Sequence, residues 1–91
     1  MANPKYGTTG ANTVLPVQVD KAVKRFWVET VDGAAMVWFT IDGSTPVAMA
    51  DGTFFLPAAA GAGIPFELSQ ASQVTVKFLS TTVVKVAVRY Q

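Results

Sequence analysis

Two runs near the C-terminus alternate apolar and polar side chains with a period of two, and that period leaves little freedom of fold. In residues 73–79, Val74, Val76 and Phe78 face one way while Gln73, Thr75 and Lys77 face the other. Residues 82–90 repeat the pattern, with Val84, Val86, Val88 and Tyr90 opposed to Lys85 and Arg89. Side chains of a strand alternate between the two faces of a sheet, so both runs read as half-buried antiparallel strands. Fourteen valines and ten threonines against four leucines extend this preference to the whole chain, because β-branched side chains suit a pleated surface.

Asp-Gly pairs punctuate the apolar stretches at Asp32-Gly33, Asp42-Gly43 and Asp51-Gly52. The first lies between two apolar runs, and a two-residue Asp-Gly loop predicts a type I′ hairpin. Counting outward, Val28 pairs with Val37, Trp27 with Trp38 and Phe26 with Phe39. Phe26, Val28, Val37 and Phe39 then share the core face. Arg25, Trp27, Glu29, Met36 and Trp38 share the other. Pro46 ends the ladder after the second turn. The third turn predicts a short hairpin of residues 47–50 with 53–56, placing Met49 near Phe54.

Residues 57–63 are all small or Pro and read as a connector in preference to a place where another backbone approaches closely. Residues 64–68 form a short strand. Residues 14–19 form another, an edge strand because Pro16 lies inside it. Residues 1–13, rich in Gly, Thr and Asn, read as a flexible N-terminal arm, leaving 14–91 as the domain. The expected fold is all-β: a small single-domain antiparallel β-sandwich or β-barrel of about seven strands.

The chemistry the chain lacks narrows its function. It has no histidine, no cysteine and only six acidic residues. Neither a disulfide nor a zinc site is available to a small domain that needs support. None of the Asp-Gly turns has the alternating acidic pattern and closing Glu of an EF-hand, and turn chemistry explains them. Ser69, Ser72 and Ser80 have no histidine to activate them, and Gly61-Ala62-Gly63 lacks the third glycine of a dinucleotide loop. No catalytic residue, cofactor or metal is expected, and the chain reads as a non-enzyme.

Net charge is +1 with no concentrated basic stripe, which argues against nucleic acid. The N-terminus has no apolar core of a signal peptide, and the apolar stretch 54–66 is too short and too broken by Pro and Gly for a membrane span. Apolar residues make up 51% of the chain and charged ones 14%, against a usual charged share of about 25%. Burial against other copies is the expected complement. Trp27 and Trp38 carry three readings: core residues, anchors of a protein interface, or an aromatic platform for a sugar ring. The interface reading takes Arg25, Glu29 and Met36 with them.

One stretch carries a resemblance. Residues 37–46 hold a Thr-Ile-Asp-Gly-Ser-Thr-Pro turn after Val-Trp-Phe. Residues 51–57 follow with a strand ending in Pro57, and 74–77 open the closing strands. Over about residues 24–90 this is similar to small all-β virion structural proteins of tailed bacteriophages, of the head decoration or cement type. The resemblance implies a homo-oligomer, with a trimer one candidate, made in the host cytoplasm. It would bind the major capsid protein on the capsid surface, without nucleic acid or membrane. The same turn also resembles sandwich modules appended to chitin-active enzymes, which keeps a carbohydrate-binding or adhesin-like module as the alternative, beside a neck or tail accessory virion protein.

Overall fold

The computed structural model describes residues 4–19 and 21–90, and these form eight strands and no helix. They are β1 (Lys5–Thr8), β2 (Leu15–Gln18), β3 (Val23–Thr30), β4 (Val37–Thr40), β5 (Phe54–Leu56), β6 (Gly63–Ser72), β7 (Thr75–Leu79) and β8 (Lys85–Tyr90). Two four-stranded antiparallel sheets, in the orders β1-β8-β3-β6 and β2-β7-β4-β5, face each other as a sandwich. Only β4 and β5 are both consecutive and paired; every other described connection crosses between the sheets. That wrapped order is the jelly roll.

The expected alternation fixes the core. Phe26, Val28, Val37, Phe39, Val76, Phe78, Val84, Val86, Val88 and Tyr90 are all buried, and Leu56 joins them from the short strand β5. Pro16 lies in β2, an edge strand as its missing N–H requires.

The hairpin expected at Asp32-Gly33 is not formed. Residues 31–36 carry the chain from one sheet to the other, so β3 and β4 meet across the core and not edge to edge. Either arrangement buries the same Phe and Val side chains, and the period-2 pattern is blind to the difference. Gly33 does take a positive φ of 63°, but for another reason: a Cβ there would lie 2.2 Å from the backbone N of Ala60. The 57–63 segment is therefore more than a connector, since its backbone lies directly against Gly33. Thr30 fastens it further. The Thr30 hydroxyl donates to the Ala59 carbonyl at 2.8 Å, its N–H donates to Ala62, and its carbonyl accepts from Gly61.

The other turn expectations need similar correction. Residues 47–50 form a turn and not a strand, and β5 pairs with β4 in the register Phe39↔Phe54 and Trp38↔Phe55. Pro46 and a positive φ at Met49 interrupt the extended path. The flexible arm is also in part a strand. Lys5–Thr8 pair with β8, the Thr9 N–H donates to the Val84 carbonyl, and the Asn12 N–H donates to Ser80. Gly7 permits this, because a Cβ there would come within 2.7 Å of Leu15. Residues 1–3 of the expected arm lie outside the described residues.

Gly33→Ala combines a disfavoured φ with a collision against backbone that has no rotamer to give way. It should destabilise the fold by about 3 kcal/mol or more, read as a lowered urea midpoint. Ala60→Gly, which keeps the approach, should cost far less.

Candidate functional site

Charge divides the two sheets unequally. The strands of β1-β8-β3-β6 carry Lys5, Lys24, Arg25, Glu29, Glu67, Lys85 and Arg89; those of β2-β7-β4-β5 carry only Lys77. The residues expected to form one partner surface fall on both. Arg25, Trp27 and Glu29 lie on the charged sheet, Trp38 lies on the other, and Met36 precedes β4. The sandwich separates the two tryptophans, so the paired Trp27–Trp38 platform does not exist.

On the charged sheet Trp27 stands between Arg89 of β8 and Pro65 of β6. The guanidinium of Arg89 donates to Glu29 at 2.6 Å, and Arg25 pairs with Glu67 at 3.5 Å. These pairs are solvated, so each adds little stability. Arg25 and Glu29 lie two positions either side of the half-buried Trp27 on β3, so they share its face of the sheet. A groove of about 450 Å³ remains, lined by Arg25, Trp27, Pro65, Phe66 and Glu67.

The second sheet has no such surround of charge. Trp38 lies between Phe55 and Leu79 in the ladder, and its ring centroid is 5.4 Å from that of Phe55 at a tilt of 49°. Phe55 is 49% exposed and nearby Met36 44%. The Met36 carbonyl accepts a hydrogen bond from the buried Ser80 hydroxyl at 2.9 Å, which fixes the approach to β4. Beside them Phe54 points into the open side of the sandwich, stacking on Phe39 at 5.5 Å and meeting Phe66 edge-on at 5.2 Å. Period-2 reading assigned Trp38 to an outer face but missed Phe55, because its partner strand was placed elsewhere.

Between β4 and β5 runs a built loop. Asp42 accepts hydrogen bonds from the Ser44 N–H at 3.0 Å and the Ser44 hydroxyl at 2.6 Å, and these hold its carboxyl below the ordinary value of 3.8. Two turns follow in tandem, closed by Ala50 N–H to Val47 and Thr53 N–H to Ala50. In the second, Gly52 takes the positive φ that a type II turn needs at its third residue. In the first, Met49 takes it, at 64°, a strained choice costing about 1 kcal/mol or more. Among the described residues no group of three or more acidic side chains is placed to hold a metal ion.

No protein-family model matches the sequence, and no curated protein matches it. A solved de novo designed double-stranded β-helix resembles it with a TM-score of 0.61, covering 99% of this chain and 100% of that one at 14% identity. At that identity the likeness shows the fold alone, and it agrees with the wrapped strand order.

Two outcomes test this description. Phe39→Ala removes a ring in contact with Phe54, Phe66 and Phe78 and should cost about 3–5 kcal/mol in urea unfolding; Trp38→Ala, on the outer face, should cost clearly less. For Asp42, a depressed folded pKa means that its contribution is present above the unfolded value and disappears as pH falls through the folded one. Carboxyl NMR should place the Asp42 midpoint below that of free aspartate, and Ser44→Ala should raise it.

Proposed function

We propose that this chain is a non-enzymatic structural protein of a phage virion that decorates and stabilises the head shell. It attaches through the face formed by Met36, Trp38 and Phe55. The observation that carries the attachment site is the asymmetry of charge between the sheets. Cores of protein interfaces are depleted in charged side chains and enriched in Trp, Phe and Met, and the β2-β7-β4-β5 sheet has that composition around Trp38. Removing a half-covered indole and a half-exposed phenyl ring from water would supply a large share of the binding energy. The virion role itself rests on the Thr-Ile-Asp-Gly-Ser-Thr-Pro turn and the strands after it. Location on the capsid surface and binding to the major capsid protein are parts of the same proposal.

A sugar ring stacks best on a flat aromatic face. The 49° tilt between Trp38 and Phe55 offers a ridge, which suits an interdigitating protein surface better than a pyranose.

Co-sedimentation with empty heads of the phage that encodes the chain tests the reading. Wild-type protein should pellet with the heads. Trp38→Ala should weaken attachment roughly 30-fold, the effect of losing about 2 kcal/mol at a hot spot, while remaining folded. Wild-type protein left in the supernatant would overturn the head-shell reading, and retention on a chitin or glycan matrix would point to a carbohydrate-binding module.

A further inference from the structure

Met49 breaks two local rules at once. It takes the left-handed backbone at a turn position where glycine is favoured, and at 88% exposure it is the most exposed large apolar residue described. Three residues on, in the same loop, Gly52 solves the same backbone problem without strain. Local stability therefore favours Gly at 49, and a linear apolar side chain held out on a closed turn suits contact with another surface.

The same chain carries a surface that fits it. The groove on the charged sheet has Trp27, Pro65 and Phe66 as its apolar lining, with Arg25 and Glu67 beside them. A thioether gains from contact with an aromatic ring. Asp51, exposed two residues beyond Met49, is opposite in charge to Arg25, whose side chain is 59% exposed and whose pair with Glu67 at 3.5 Å is solvated. Within one copy, only residues of β3 and β6 line the groove.

We propose that the Met49 turn of one copy seats in the Trp27–Pro65 groove of a second copy, with Asp51 beside Arg25. Turn and groove are different patches, so copies join either by reciprocal exchange about a two-fold axis or head to tail in a ring or open chain. This self-association does not depend on the head-shell reading, because it uses neither Trp38 nor Phe55.

Sedimentation velocity of the purified chain tests it, and crosslinking maps it. Wild-type protein should self-associate. Met49→Gly should match or exceed the wild-type thermal midpoint and yet weaken association at least tenfold, whereas Met49→Leu should retain most of it. The chain has no cysteine, so mixing Met49→Cys with Glu67→Cys under mild oxidation reports the pairing directly. Disulfides between the two variants should dominate over those within either one. A wild-type monomer at millimolar concentration, unchanged association of Met49→Gly, or disulfides that join only copies of the Met49→Cys variant to each other would each overturn the proposal.

Discussion

Phe39 joins the inner faces of the two sheets, and the architecture depends on that junction. Fully buried on β4, its ring meets Phe78 of its own sheet and Phe66 of the opposite one, while Phe54 stacks on it from the open side. Phe66 in turn stacks on Phe26 at 5.2 Å. The aromatic cluster therefore runs from β3 through β6 to β4, β5 and β7. A chain of 91 residues without a disulfide has no covalent means of holding two sheets together. Close packing must do it.

Face-to-face packing leaves four edge strands, β1, β6, β2 and β5, and unpaired edges invite further strands. Each edge carries a device against this. Pro16 interrupts β2 and Pro65 interrupts β6, each removing a donor. β3 also advances two residues where β6 advances five, which bends the end of β6 out of register. β5 is three residues long and Pro57 follows it. β1 is short and sits close against β2 through Gly7. Edge-to-edge growth is thus disfavoured, and association is directed to faces and turn tips.

The inward-facing residues were legible from the sequence because burial imposes a period of two wherever a strand has one apolar face. Phe26, Val28, Val37 and Phe39 follow from it directly. Strand neighbours were not legible. Asp32-Gly33 has the composition of a tight hairpin, but Gly33 serves a close approach by Ala59 and Ala60, 26 and 27 positions away. A local motif cannot encode such a contact. The same limit hid Phe55 beside Trp38 and the pairing of β1 with β8. Trp38 was correctly assigned to an outer face, whereas its partnership with Trp27 depended on a register the chain does not use.

The two tryptophans show how one residue type serves opposite ends on two sheets. Trp27 lies among Arg25, Glu29, Glu67 and Arg89, which pair with one another in solvent. Desolvating that face with a broad apolar partner would strand several charges, a cost that rises steeply with burial. A narrow intruder such as a single methionine side chain avoids most of it. Around Trp38 the surrounding strands hold one charge, Lys77, and a broad partner meets little desolvation penalty. The distribution of charge, more than the presence of either indole, therefore decides which face suits an extensive contact and which suits a pointed one.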